Sequence, residues 1–348
     1  GKQPSARDGR GVVLLPGPGG CPDRNKATSS GAGRALAWAS AEMRGWRPAM
    51  EDATRALLGL GAPLEAHAFF GVFDGHGGAA VSQRAAEELP AQVAECAGSL
   101  LRGGRAGSGG SGLAAQALGL ALPALDEVLR EAGAGLPVLL PTAAPCGAPP
   151  PSGAPNAFCL TGSTAVVALV ECDGPPVVGR PFRIVVANCG DSRALLCRGG
   201  EALPLSEDQK PDVPCERERI ERAGGSVAPV GPCQRIDGWG LNLSRALGDF
   251  HYKAREDLPP SQQKVIAVPE VCSCELTEED EFLLLCCDGV FELKSSQDAV
   301  DHVRKGLVSG KMPTEVVEDL VDSCCSPDLF QTRGHGSDNV SAMVILLR

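Results

Sequence analysis

Four short stretches of this 348-residue chain are apolar with hardly a break: FFGVF (69–73), RIVVANC (183–189), FLLLCC (282–287) and MVILL (343–347). A strand with one wet face alternates apolar and polar residues, so a continuous run needs cover on both faces. Two stacked sheets, each with helices on its outer side, meet that need. A parallel α/β sheet meets it too, but these strands follow one another with little room for crossover helices. The expected fold is therefore α+β: a four-layer α/β/β/α sandwich of two central, mainly antiparallel sheets flanked by helices.

Further strands are expected at 35–43, at 162–171 and, with a bend at Gly190-Asp191, over 182–200. Helices are expected at 79–96, where Val81, Ala85, Leu89 and Val93 share one face, at 113–132, at 216–225, and near 296–308 and 313–324. Residues 1–33 are rich in Gly, Pro and Ser and read as a flexible arm. The rest, 34–348, reads as one domain interrupted by a low-complexity excursion at 98–158, whose Pro-rich part (137–155) reads as a surface insertion or a docking peptide.

At 43% hydrophobic and 22% charged residues the chain has material for a core. Its net charge of −11 argues against broad nucleic-acid binding, which needs a basic surface. The 15 cysteines include no CxxC pair and no zinc-like Cys/His spacing, and several sit inside apolar runs, so a reducing compartment without a disulfide framework is expected. No apolar run is expected to reach bilayer-spanning length. Gly1 to Ser5 fits the N-myristoylation pattern, equally with a chain start of other origin. These features suggest a monomer of the cytoplasm or nucleus, or one held peripherally at a membrane by an acylated Gly1.

The chemistry is suggested by what ends the apolar runs. Asp74-Gly75, Gly190-Asp191 and Asp288-Gly289 each put a carboxylate beside a glycine at a strand end, and Asp338 stands just before the last strand. Singly, each is a turn residue. Together with Glu51-Asp52 they suggest carboxylates gathered at one rim, where repulsion requires cations between them. Oxygen ligands without thiolates or clustered histidines suit Mg²⁺ or Mn²⁺ rather than zinc.

The ordered motifs GWRPAMEDA (45–53), FFGVFDGHGG (69–78), GSTA (162–165), ANCGDSRALL (187–196), ERERIERAGG (216–225), LSRALGDFHYK (243–253), PEV (269–271), EFLLLCCDGVFE (281–292) and GSDNVSAMVI (336–345) make the chain similar to the metal-dependent serine/threonine protein phosphatases of type 2C. The resemblance covers nearly everything from about residue 36 onward except the excursion. It implies that phosphoserine and phosphothreonine proteins are the substrates, hydrolysed by water activated between two Mg²⁺ or Mn²⁺ ions, without a covalent intermediate. It implies Asp74 as the bridging ligand, Asp288 and Asp338 on one ion, and Glu51 and the Gly75 carbonyl on the other. Asp52 is implied behind these ligands, and Asp191 with Asp288 at a weaker third metal. Arg47 is implied to clamp phosphate and His76 to protonate the leaving oxygen.

Arg245 reads instead as a structural pairing residue, and Cys286 and Cys287 as strand filler. Glu292 stands where many members carry Asp, and a bulky Trp239 precedes the Ser-Arg motif. Two other readings compete: a pseudophosphatase that binds without turnover, and a two-metal hydrolase of nucleotides or nucleic acid. The first calls for a lost metal carboxylate, and Glu51, Asp74, Asp288 and Asp338 are all present. The second calls for a basic groove laced with aromatics, for which the acidic sequence gives no sign.

Overall fold

The computed structural model describes residues 21–33, 35–104, 110–138, 156–173 and 180–347. The chain opens with strands β1 (Asp23–Ala32), β2 (Ala37–Gly45), β3 (Ala53–Leu57), β4 (His67–Phe73) and the two-residue β5 (Gly75–His76). Two long helices follow, α1 (Ala80–Arg102) and α2 (Gly110–Gly133). Next come β6 (Gly162–Ser163), β7 (Ala165–Cys172), β8 (Pro181–Cys189), β9 (Arg193–Arg198), β10 (Glu201–Pro204) and helix α3 (Pro214–Arg222). A hairpin of β11 (Val227–Val230) and β12 (Cys233–Ile236) and the short β13 (Leu247–Gly248) lead to β14 (Glu270–Glu275) and β15 (Asp280–Cys286). Helices α4 (Asp288–Phe291), α5 (Ser296–Val308) and α6 (Pro313–Ser323) precede β16 (Val340–Leu346).

Two sheets carry the fold, ordered β1-β2-β16-β15-β9-β10 and β14-β8-β7-β4-β3. Every pairing within them is antiparallel. The unbroken apolar runs now have a cause, because alternate residues of one strand enter different layers. In β4, Phe69 and Phe73 pack under α1 and α2, while Ala68, Phe70 and Val72 face the other sheet. Beyond the second sheet, Phe282, Leu284 and Cys286 meet α5 and α6, while Leu283, Leu285 and Cys287 face inward. Three apolar layers separate four layers of structure, as the α/β/β/α expectation requires.

Antiparallel registry also decides where the site lies. Ala53 pairs with Phe73, Val72 with Val166 and Ala165 with Cys189, so the starts of β3 and β7 and the ends of β4 and β8 share one rim. In the second sheet Cys286 pairs with Arg193 and Ala342, and Val340 with Met43, which gathers the corresponding ends of β2, β9, β15 and β16. The corner Gly190-Asp191-Ser192 runs from β8 to β9 and so joins the two sheets at this rim. Each Asp of interest flanks one of these strand ends.

Four expectations need correction. The flexible arm proposed for 1–33 is wrong for its last stretch: residues Asp23–Ala32 form β1, registered against β2. Its polar side chains hide the strand from periodicity, but Arg24 and Lys26 pair with Asp322, and Thr28 Oγ1 donates to Glu318. The excursion at 98–158 is partly core, since α2 buries Leu118, Leu122, Leu125 and Leu129 against α1 and the five-stranded sheet. Helix α2 also overturns the expectation about bilayer-length runs. Over Gly112–Gly133 it is long and apolar enough to cross a membrane, yet its apolar side packs inside the fold and its Asp126 is ion-paired with Lys253. Finally, Asp288-Gly289 does not close the strand of the FLLLCC run: that strand stops at Cys286, and Asp288 begins helix α4. The acylation proposed at Gly1 and most of the Pro-rich stretch at 137–155 lie outside the described residues. All the described cysteines are free thiols.

Phe70 has no exposed surface and fills the layer between the sheets. Phe70→Ala should cost about 3–5 kcal/mol in urea unfolding; a loss under about 1 kcal/mol would mean the layer is not packed as described.

Candidate functional site

The rim holds the acidic residues singled out from the sequence. Asp74 follows β4, and its backbone is clamped on both sides: its N–H donates to Thr164 Oγ1 (3.1 Å) and its carbonyl accepts from Thr164 N (2.9 Å). Asp288 stands at the first turn of α4, and Asp338 just ahead of β16 accepts on Oδ1 from the Asn339 N–H at 2.8 Å. Glu51 is held through its own N–H, which donates to Asn339 Oδ1 at 2.9 Å, while the same Asn339 amide donates to Arg44 and Ala49 carbonyls. Gly75 lies so close to this segment that a Cβ there would sit 2.1 Å from the Glu51 carbonyl oxygen. Only glycine lets the two backbone pieces meet.

Electrostatics shows that the carboxylates converge. Burial pushes Asp74 well above the ordinary carboxylate range, and repulsion from Asp52, Asp288, Asp338 and Asp191 adds to it. Asp288 is pushed well up by burial and then by Asp191 and Asp338, with Lys210 and a hydrogen bond to Asp74 acting the other way. Asp52, 5% exposed, is raised to about 7, chiefly by burial, with Asp338 and Glu42 opposing its ionisation. Its Oδ2 accepts from Ser341 Oγ (2.7 Å), whereas Oδ1 is buried without a partner. Such groups resist ionising together until cations enter among them.

Two basic residues already reach the cluster. Arg47 donates to Asp338 Oδ2 at 2.7 Å with its side chain 52% exposed. The Asp338 charge, chiefly, lifts its guanidinium above the ordinary value. Lys210 pairs with Asp191, at the position that the family resemblance assigns to a weaker third metal. Among the described residues no three His, Cys, Asp or Glu side chains close on a point as a ready-made ion cage. Mg²⁺ needs none, because it keeps several waters and takes only one or two carboxylates. The oxygen-only donors, the mutually opposed ionisations and the orphaned Asp52 Oδ1 fit a hard divalent cation.

His76 lies at the edge of the cluster, its Nε2 2.6 Å from Asp249 Oδ2. Burial alone would lower its pKa, but the Asp249 charge and hydrogen bond outweigh burial and the net shift is upward. Arg245 turns away to the buried Glu216 at 2.7 Å and to the Val268 carbonyl, a structural pairing. Cys286 and Cys287 lie in separate core layers with thiols pushed well up by burial. Glu292 accepts from the Gly336 (2.6 Å) and Ser337 (3.1 Å) N–H groups and so braces the loop before Asp338. Trp239 stacks on Tyr252 at 5.8 Å between ring centroids.

Sequence reasoning passed over Lys210, Asn339 and Asp249. The last two lie inside motifs singled out above, but their partners are 173 residues away for Asp249 and 288 to 295 away for Asn339. No periodicity could have revealed those contacts.

Similarity to known proteins agrees with the geometry. The family model described as Protein phosphatase 2C matches residues 154–329. "Probable protein phosphatase 2C 4" of Paramecium tetraurelia is 34% identical over 94% of this chain and 97% of its own length. "Protein phosphatase 2C homolog 2" of Schizosaccharomyces pombe is 35% identical over 93% of this chain and 76% of its own. The crystal structure of a phosphatase from Toxoplasma gondii superposes with a TM-score of 0.66 at 26% identity, covering 92% of this chain and 95% of that one. The chain belongs to the protein phosphatase 2C family, a family of generally metal-dependent hydrolases acting on phosphoproteins.

The raised carboxyls carry a testable sign. A carboxyl kept protonated in the folded chain stabilises it fully below the ordinary range near pH ~4, and that contribution is lost as pH rises through the folded value. For Asp52 that value is about 7. In EDTA, Asp52→Asn should therefore gain stability over the unsubstituted chain between about pH 4 and pH 7, at up to about 1.4 kcal/mol per pH unit. Thermal unfolding that shows a constant difference across this window would place the Asp52 carboxyl in the ordinary range.

Proposed function

We propose that the chain hydrolyses phosphoserine and phosphothreonine in proteins by direct, in-line attack of water at the carboxylate rim, with Mg²⁺ or Mn²⁺ as cofactor. The single observation that carries this reading is the cluster of strand-end carboxylates in which burial and the charges of Asp52, Asp191, Asp288 and Asp338 oppose the ionisation of Asp74, and burial, Asp191 and Asp338 that of Asp288. A protein gains nothing from that arrangement unless counter-charge is delivered there.

Asp74, Asp288 and Asp338, with Glu51 and the Gly75 carbonyl, are the groups that would hold two ions. Asp191, now paired with Lys210, is the group for a weaker third. Bound divalent ions supply a lowered pKa for water and charge stabilisation for the phosphoryl oxygens. This chain's own side chains do the rest. Arg47, held by one nitrogen on Asp338 and half exposed, offers the remainder of its fork to phosphate. His76, whose pKa the Asp249 charge and hydrogen bond raise against the effect of burial, holds a proton ready for the leaving serine or threonine oxygen. Asp52, behind the cluster, orients Ser341 and adds negative potential. No metal carboxylate of the motifs is lost, which removes the ground for a binding-only pseudophosphatase.

The test is hydrolysis of a phosphothreonine peptide with Mn²⁺. Activity should be abolished by EDTA and restored by Mn²⁺, and Asp74→Asn should fall by about 10²-fold or more, the scale expected when a charge-stabilising group is removed. Equal activity in Asp74→Asn, or none in the unsubstituted chain with either metal, would contradict the proposal.

A further inference from the structure

We infer that Asp249 is the positioning residue for His76, fixing the imidazole through Nε2 so that Nδ1 is the nitrogen presented to the leaving oxygen. The inference rests on the reading of His76 as the general acid and extends it to a residue outside the metal cluster. The contact is short, 2.6 Å from Nε2 to Oδ2, and unequal in exposure: the Asp249 side chain is 1% exposed and that of His76 25%. The carboxylate is thus the buried anchor and the ring the exposed, working end.

The fold builds this contact from three chain segments. In the three-stranded sheet β13-β6-β5, His76 pairs with Gly162 from one side and Gly248 pairs with the same Gly162 from the other. Asp249 is the next residue, and its backbone is left-handed at φ 53° and ψ 42°. It is locked there by its N–H donating to the Thr161 carbonyl (3.0 Å) and its carbonyl accepting from Tyr252 N (2.9 Å). The two side chains meet over Gly162, where a Cβ would lie 2.1 Å from Asp249 Oδ2 and 2.6 Å from His76 Nε2. Glycine at 162 is what leaves room for the pair.

With Nε2–H donated to Asp249, Nδ1 is the only ring nitrogen left for proton transfer. As the water oxygen bonds to phosphorus, the bond between phosphorus and the serine or threonine oxygen breaks. That oxygen keeps the electron pair and takes the Nδ1 proton. An alkoxide leaving group needs this proton, whereas p-nitrophenolate leaves without it.

Asp249→Asn is the variant of choice, because Asn keeps the volume and tolerates left-handed backbone. Assays with Mn²⁺ would compare it with His76→Ala and the double variant on a phosphothreonine peptide and on p-nitrophenyl phosphate. Asp249→Asn should lose about tenfold or more on the peptide, toward the 10²–10⁴-fold scale of general acid catalysis, and less than about threefold on p-nitrophenyl phosphate. The double variant should be no worse than His76→Ala alone, as for residues acting as a unit. Equal losses on both substrates, no loss on either, or additive losses would overturn the role of Asp249. A His76→Ala variant without leaving-group dependence would instead overturn the acid reading itself, and this inference with it. Long-range ¹H–¹⁵N NMR of the unsubstituted chain tests the same point without any variant. It should show His76 Nε2 carrying the proton toward Asp249, and a bare Nε2 with the proton on Nδ1 would overturn the inference.

Discussion

Repulsion among buried carboxylates is the constraint on which the rest of this structure depends. Two like charges about 4 Å apart cost about 4 kcal/mol at the effective dielectric of a protein surface, and more where burial is deeper. A few such pairs rival the whole stability of a domain, about 5–15 kcal/mol. A chain can hold Asp74, Asp288, Asp338 and Asp191 together only on a frame that cannot relax them apart. The sandwich is such a frame. Its strands are clamped on both faces by apolar layers, so the rim positions are fixed by core packing and hardly at all by the acids themselves.

Seen this way, the fold and the site are one problem with one solution. Antiparallel registry gathers strand ends from both sheets at one rim, and the Gly190-Asp191-Ser192 corner carries the chain from one sheet to the other there. Basic groups supply part of the missing counter-charge, through Arg47 on Asp338 and Lys210 on Asp191. The remainder is what divalent cations would provide. His76 lies in the small sheet around Gly162, two residues beyond Asp74, where Asp249 holds it, so the proton donor and the bridging acid are set by adjoining segments.

How much of this could be read from the sequence varied with how local the cause was. The layered sandwich was legible because β4, β15 and β16 are apolar on both faces, and only double cover produces that pattern. The carboxylates were legible because each adjoins a glycine or opens a strand. Strand β1 was not, since its stability comes from pairing with β2 and ion pairs to α6, neither of which leaves a periodic trace. Within the excursion at 98–158 helix α2 was legible as a helix but not as part of the core, because the Gly, Ala and Pro content around it resembles an insertion. Asp249 and Lys210 were invisible as site residues for a similar reason: their roles exist only through contacts with His76 and Asp191 made by the folded chain.

The central claim is that the rim is a site for cations, and isothermal titration calorimetry of the EDTA-stripped chain with Mn²⁺ near neutral pH tests it most directly. Two ions per chain should bind, and binding should release protons because it discharges carboxyls that repulsion had kept protonated. The measured heat should therefore change with the ionisation enthalpy of the buffer. No binding, or binding with heat independent of the buffer, would contradict the claim.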